Sequence, residues 1–581
     1  QRLMRESFAR FLDQHSSAER VRAAAKTEGH DTVLWRGLAE LGAFSLRIPE
    51  AHGGLNLGLM DASVLMEEVG RTLASGPLAE TLVATRALAL LAGDRHAALL
   101  ASVVNGECIL TIAHQDISSL PIQWIAGGAV ASTILARHGE DIVLVNIDPP
   151  GSEANLASTP LAELNLNDGN MVSIGTGASA ISIFLQALEE WKLLVAMALN
   201  GLAREAIRLA ADYACERVAF GQPIGTYQGI SHPLADLITD VDGGKYFIWK
   251  TIHDLGHRVS EAGAGISLAL WWNAHTATRA ASQALHTFGG YGLSIEYDIH
   301  LYNLRAKDWS LGLGDPEWLL EEAGRRLYAH ESTELPDAGD VPIDFDLGDD
   351  AREMAIELRE FFDNTLTPEL RAKAHYSFDG FDGGVHKKLA EAKLLFPAWP
   401  HAYGGRAAAP YTVSALRKVW EAYNWTTHAT STTMMVGTMI QKFGSDELKR
   451  EVLDRIVSGD VICSLGYSEP SCGSDVFAAQ TKAIREGDDW RISGSKMWTS
   501  GANIAQYVLM LTRTDPALAK HKGLTLFVVP LDAEGVQVQP IHTFQDERTN
   551  VTYYDSVKIK DSYRLGEVNG GLKTMSAALE L

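Results

Sequence analysis

Apolar residues recur three and four positions apart through residues 1–105 and again through 347–458, in stretches rich in Ala, Leu, Glu and Arg. That spacing predicts two helical bundles, each burying one face of every helix. Beyond Gly459 the texture changes to short apolar runs at 490–494, 507–511 and 524–529, separated by Gly, Asp and Pro turns, which predicts strands. Between Cys108 and about Ser173 the same change is weaker, with 141–146 its clearest strand. From Ala180 to about Tyr328 long helical patterns return, broken at Phe220-Gly221-Gln222-Pro223 and Phe288-Gly289-Gly290-Tyr291-Gly292. A second return begins at Gly571 and runs into Leu581. The fold class expected is α+β, mainly α.

The order helices, strands, helices occurs twice, and local motifs repeat about 350 residues apart. Ile48-Pro49-Glu50-Ala51-His52-Gly53-Gly54 corresponds to Trp399-Pro400-His401-Ala402-Tyr403-Gly404-Gly405, and Gly106-Glu107-Cys108-Ile109-Leu110 to Gly459-Asp460-Val461-Ile462-Cys463. The chain therefore reads as tandem copies. The first comprises a helical domain (1–105), a degraded β domain (106–178) and a second helical domain (179–330). A linker (331–346), rich in Asp and Pro, is expected to be solvent-exposed. The second copy has a helical domain (347–458), a β domain (459–566) and the start of another helical domain (567–581).

A chain of 581 residues with 46% hydrophobic and 21% charged residues suits several globular domains. No apolar run has the length a bilayer crossing needs. Fifty Lys and Arg against 73 Asp and Glu give a formal charge of -23, which argues against nucleic acid or an anionic membrane as main partner. Cys108, Cys215, Cys463 and Cys472 form no metal-binding or redox motif, so no metal is expected and a reducing cytoplasm is the simplest setting. The chain starts at Gln1 without a basic-then-apolar leader, and both ends are expected to be trimmed.

The chemistry concentrates in Tyr467-Ser468-Glu469-Pro470-Ser471-Cys472-Gly473-Ser474-Asp475, followed by Lys496-Met497-Trp498-Thr499-Ser500. Small and hydroxylated residues let backbone pass close to a flat ring, and main-chain N–H groups with Ser468 can bond its polar edge. Trp498 offers a flat apolar wall, with a hydroxyl from Thr499 or Ser500 beside it. The matching stretch of the first copy, Ala113-His114-Gln115-Asp116-Ile117-Ser118-Ser119, lacks these residue types. In the first copy Arg217 offers a fork of donors suited to a pyrophosphate, within a segment containing Phe220 and Gln228.

This layout and these motifs resemble the acyl-CoA dehydrogenase family, in which a helical domain, a β domain and a second helical domain enclose FAD. The duplicated form looks most like the double-length dehydrogenases of actinobacterial steroid side-chain breakdown. The resemblance implies that Leu465, Tyr467, Ser468, Gly473, Ser474, Trp498, Thr499 and Ser500 contact a flavin. It implies that Arg217, Phe220, Gln228, His286, Gly289 and Gly290 touch FAD held by a neighbouring copy. Relatives often carry Gln where this chain has His286. Ser474 and Arg548, the latter at the head of Arg548-Thr549-Asn550, would meet substrate. An internal pseudo-dimer with one FAD per chain follows.

The activity implied is α,β-dehydrogenation of a bulky, steroid-derived acyl-CoA, with electrons passing to an electron-transfer flavoprotein and two fused chains pairing as a homodimer. A non-catalytic flavoprotein or acyl-CoA-binding scaffold, and an acyl-CoA oxidase, are the alternatives. The reaction needs a carboxylate base. In one branch of the family it stands some nine residues after an Arg like Arg305, where this chain has Gly314 and then Asp315. In another its counterpart in the first copy falls at Trp191, beside Glu190, and in the second copy just beyond Leu581. The base is expected beyond Leu581, with Asp315 and Glu190 as weaker candidates that read first as solvated helix-end carboxylates. Glu580 reads as a helix-face charge.

Overall fold

The computed structural model describes residues 2–151, 154–373, 377–425, 428–545 and 547–579, with side chains to 577 in the closing helix. Glu580 and Leu581 lie outside the described residues. The chain divides into two compact units, Gln1–Phe345 and Asp346–Leu581.

In the first unit, amphipathic helices Arg2–His15, Ala18–Ala25 and Thr32–Glu40 precede α1 (Leu59–Thr72) and α2 (Leu78–Ala92). Six strands follow: β1 (Leu110–Ile112), β2 (Ile122–Ala126), β3 (Thr133–His138), β4 (Asp141–Asn146), β5 (Leu161–Asn165) and β6 (Asn170–Thr176). They form a sheet in the order β1-β3-β4-β6, with β1 and β3 parallel, and a separate antiparallel pair β2-β5. The helical remainder is α3 (Ala178–Glu216), α4 (Gln228–Gly256), α5 (Ala262–Phe288), α6 (Ile299–Ser310) and α7 (Trp318–Tyr328). Residues 189–203 of α3 are buried all round, as a helix at the centre of a bundle must be. Its buried polar side chains are paired. Lys192 donates to Glu189 and Glu322 at 2.8 Å, and Arg326 reaches Glu189 at 2.7 Å.

The second unit opens with α8 (Asp349–Thr365), followed by short helices, α9 (Pro410–Ala422) and α10 (His428–Phe443). Its strands are β7 (Cys463–Gly466), β8 (Lys482–Glu486), β9 (Asp489–Lys496), β10 (Tyr507–Arg513), β11 (Leu524–Pro530), β12 (Val536–His542), β13 (Arg548–Lys560) and β14 (Arg564–Leu565), and α11 (Gly571–Leu579) closes it. The sheet runs β12-β13-β9-β8-β10-β11-β14, with β7 parallel to β10. Central β10 and β11 are almost entirely buried on both faces, which explains their unbroken apolar sequence.

The repeat is visible in local geometry. Glu50–His52 and His401–Tyr403 are both short 3-10 turns, ending at Gly53 (φ 81°) and Gly404 (φ 77°). A Cβ on Gly54 would stand 2.0 Å from the Ile48 carbonyl oxygen, and one on Gly405 would stand 1.9 Å from that of Trp399. Both motifs need glycine for the same two reasons, an αL backbone and a close backbone approach.

The segment 331–346 is largely exposed, as its composition suggested, but it is also anchored to the first unit. Pro336 and Ala338 are buried, and Leu335, Val341 and Ile343 pack against the first unit's core. The Ala338 carbonyl accepts the Leu59 N–H at 2.7 Å and the Asp337 carbonyl accepts from Arg47 at 2.5 Å. Scattered apolar residues among Asp and Pro give no periodic signal, yet they suffice to strap the segment down. Overpacking a buried alanine costs about 1–3 kcal/mol. Ala338→Leu is therefore expected to lower the stability of the first unit in urea unfolding, whereas Ser332→Leu, at an exposed position of the same segment, leaves it unchanged.

Candidate functional site

The Tyr467 to Asp475 segment leaves β7 and is clamped from below by a buried ion pair. Lys496, fully buried at the end of β9, donates to Glu469 Oε1 at 2.8 Å and to the Tyr467 carbonyl at 3.1 Å. Glu469 also accepts the N–H groups of Gln480 (2.7 Å) and Thr481 (2.9 Å). Burial works to raise the Glu469 pKa, but the Lys496 ammonium and these N–H groups outweigh it and hold the carboxyl below its usual range. Burial pushes the Tyr467 phenol up to about 12, and its hydroxyl has no partner among the described residues.

Two further segments are stitched to this one. The Met497 N–H bonds the Ser468 carbonyl at 2.9 Å. The Thr499 N–H bonds the Asn550 carbonyl at 2.9 Å, and the Asn550 side chain returns a bond to the Thr499 carbonyl at 3.1 Å. Asn550 is fully buried within β13, whose first residues are Arg548-Thr549-Asn550. Arg548 donates to the Asn550 side chain at 3.0 Å and lines a hollow with Asn503, Gln506 and Asp532.

Above this base, the exposed features face outward. Trp498 is 56% exposed and held at φ 60°, a left-handed backbone that a bulky residue adopts only under constraint. Gly473 and Ser474 are exposed, and the N–H groups of Ser468, Gly473 and Ser474 have no partner among the described residues. Leu465 is half-buried in β7. Thr499 is fully buried with its hydroxyl turned inward to Thr552 at 3.2 Å, so its side chain is no surface hydroxyl. Ser500 is half-buried and shares a hydrogen bond with Thr549 at 3.0 Å. An apolar wall beside free N–H donors and the Ser468 hydroxyl fits a planar ring with a polar edge.

In the first unit the structure brings two distant motifs together. Val218–Ala219 and Gln222–Pro223 form a tiny hairpin whose turn residues, Phe220 (φ 53°) and Gly221 (φ 83°), are both left-handed. Such a turn favours Asn-Gly, so phenylalanine at its first position is strained, and it is 96% exposed. Tyr213 on α3 stacks on Phe288 at the end of α5 (4.2 Å), and the Arg217 guanidinium lies over Tyr291 at 5.8 Å. Arg217 has no acidic partner among the described residues, leaving its donors free for an anion. Gln228, His286, Gly289 and Gly290 are exposed, and a Cβ on either glycine would meet nothing within 4 Å.

The family description "Acyl-CoA dehydrogenase, N-terminal domain" matches this sequence twice, at 1–103 and 348–460. The middle domain matches once, at 464–555, and the C-terminal domain once, at 181–328. Acyl-CoA dehydrogenase IpdE2 of Mycolicibacterium smegmatis is 31% identical over 330 residues, covering 56% of this chain and 97% of that protein. The chain belongs to the acyl-CoA dehydrogenase family. Members are oxidoreductases and generally FAD-dependent. Acyl-CoA dehydrogenase FadE34 of Mycobacterium tuberculosis is 27% identical over 558 residues, 94% of this chain and 74% of that protein. The solved "Tcur3481-Tcur3483 steroid ACAD" is 35% identical, with a TM-score of 0.38. The similarity covers 40% of this chain, and the chain spans 62% of that structure's length.

Within this family frame, the two carboxylates considered as bases are placed very differently. Asp315 is exposed and caps a turn, accepting the Glu317 N–H at 3.0 Å. Glu190 is not a solvated helix-end carboxylate. It is fully buried, with Arg47 at 2.9 Å and Arg86 at 3.3 Å. Burial pushes its pKa up, but the two guanidinium groups dominate and hold it below the usual range. An ionised carboxylate so paired is a poor proton acceptor. Trp191 is buried, its indole donating to Glu80 at 2.8 Å. Sequence reasoning missed the roles of Lys496, Glu469 and Asn550, because a buried ion pair and a buried amide look like surface polar residues until strands are paired. Among the described residues no helix is long and apolar enough to cross a membrane.

Proposed function

We propose that this chain carries out α,β-dehydrogenation of an acyl-CoA thioester with one FAD per chain, the second copy supplying the flavin platform and the first copy the pyrophosphate clamp. The reading rests on one asymmetry. The N-terminal domain is present twice, whereas the middle-domain match and the exposed Trp498 platform occur only in the second copy. The first copy keeps the exposed Arg217 and Phe220 instead. Bound FAD would take up the hydride leaving the β carbon of the substrate. Trp498 and the N–H groups of Ser468, Gly473 and Ser474 would hold and orient the ring, and Arg217 would neutralise the pyrophosphate. Ser474 and Arg548 stand on the substrate side. Neither Glu190 nor Asp315 is assigned as the base.

The bulky, steroid-derived acyl group, the electron-transfer flavoprotein as acceptor, the pseudo-dimer and the pairing of two fused chains belong to the same proposal, supported by the double-length form. A cytoplasmic setting accords with the four free cysteines.

Titration of flavin-stripped protein with FAD is expected to saturate at one equivalent, and saturation at two would overturn the single-site reading. Charge-assisted hydrogen bonds contribute about 1.5–3 kcal/mol. Arg217→Ala is accordingly expected to weaken FAD binding by roughly 10- to 150-fold, read by flavin fluorescence. Anaerobic addition of steroid side-chain acyl-CoAs should bleach the flavin. Absence of bleaching with every thioester tried would favour a scaffold, and rapid return of colour in air an oxidase.

A further inference from the structure

Trp498 is held in its left-handed conformation from both sides. The Met497 N–H bonds the Ser468 carbonyl and the Thr499 N–H bonds the Asn550 carbonyl, each at 2.9 Å. A bulky residue keeps such a backbone only where its surroundings over-determine it. The β9–β13 ladder runs as far as Lys496 opposite Thr552. Where a continued strand would set Trp498 opposite Asn550, a side chain takes over from the ladder, and Asn550 Nδ2 donates to the Thr499 carbonyl at 3.1 Å. The Asn550 amide is fully buried and fully used. Nδ2 also donates to Asn503 Oδ1 at 3.0 Å, and Oδ1 accepts from Arg548 Nε at 3.0 Å. A guanidinium only donates and a carbonyl only accepts, so the amide has one orientation, oxygen to Arg548 and nitrogen to Thr499. Arg548 thereby fixes the group that fixes Trp498.

We propose that Asn550 is a positioning residue, which sets the Trp498 wall and couples it to Arg548. The proposal rests on the reading of Trp498 as the wall of a flavin site and of Arg548 as a substrate-side group. Asn550 is itself 0% exposed, so it acts through its two neighbours rather than on either ligand. The other guanidinium nitrogens of Arg548 make no hydrogen bond among the described residues, and Arg548 lines the hollow shared with Asn503, Gln506 and Asp532. An oxygen of the substrate that draws the guanidinium into this hollow loosens its bond to Oδ1, and with it the amide that holds Thr499 and Trp498. A ring lying against Trp498 steadies the same amide and so holds Arg548 in place. Coupling of this kind is reciprocal.

Fluorine NMR of the full-length chain labelled with fluorotryptophan, with and without FAD, tests this. Trp498→Phe removes one line and so assigns it. Asn550→Asp keeps the shape of the side chain but turns an oxygen on the Thr499 carbonyl. It is expected to shift the Trp498 line and to weaken FAD binding about tenfold. Arg548→Ala should move the same line, and its effect should disappear in the Asn550→Asp background, the non-additivity that marks action through a shared group. Gln539→Ala, at an exposed position of neighbouring β12, should leave the line in place. Asn550→Ser takes its place in the cycle should Asn550→Asp not fold, as judged by its unfolding transition. A Trp498 line that ignores the Asn550 substitution, or an Arg548→Ala effect that adds to it in full, would overturn the proposal. A line that answers to Asn550 and Arg548 but not to FAD upholds the coupling and overturns instead the reading of Trp498 as the flavin's wall.

Discussion

Glu190→Gln is expected to destabilise the first unit by about 3–5 kcal/mol, the scale on which removing one partner of a buried ion pair acts. The amide keeps the shape of the side chain but leaves Arg47 (3% exposed) and Arg86 (10% exposed) facing each other without their shared counter-charge. Asp337, 3.4 Å from Arg86 and largely exposed, compensates only in part. The sign of the pH dependence follows from the direction of the shift. The folded-state pKa of Glu190 is depressed, so its contribution is fully present above the unfolded value of about 4.3 and is lost as pH falls through the folded value. Urea unfolding of wild type and variant should therefore differ most near neutral pH and converge in acid. Were Glu190 a catalytic base, the substitution would abolish turnover while leaving the unfolding curve in place.

Lys496→Met is expected to act on the second unit with comparable force. The substitution preserves an unbranched side chain but strands the Glu469 carboxylate, 4% exposed, with only the Gln480 and Thr481 N–H groups to hold it. A loss of about 3 kcal/mol is expected, at the lower end for a broken buried pair because those bonds remain. The Tyr467 carbonyl also loses its donor, so the loop loosens and flavin affinity should fall together with stability. Adding Glu469→Gln removes the stranded charge and should restore part of both. Denaturant unfolding and FAD titration on the same samples check the pair of effects. Recovery of stability without any recovery of affinity would separate the brace from the binding surface.

The sequence made the fold legible where its signals are periodic. Long helices such as α3, the buried strands β10 and β11, and the paired Pro–Gly turns at 48–54 and 399–405 each announce themselves through spacing. The strap at 331–346 was not legible, because its anchoring residues follow no period and only their contacts reveal them. The candidate site was half readable. Composition pointed to the Tyr467–Asp475 and Trp498 segments, yet could not show that Thr499 turns inward while Trp498 faces out. Glu190 illustrates the limit most clearly. Its two arginines stand over a hundred positions away in sequence, so nothing nearby distinguishes it from an ordinary helix carboxylate.

The strap also bears on how such a protein could be divided. The first compact unit runs to Phe345, taking in the strap, rather than ending at Tyr328 where the helices stop. A gene encoding the two copies as separate polypeptides would have to place its break after the strap. A break before it would leave Arg47 without the Asp337 carbonyl and Leu59 without that of Ala338, stripping the upstream polypeptide of contacts it needs. Tandem fusion thus has a frontier that the turn of a helix does not mark.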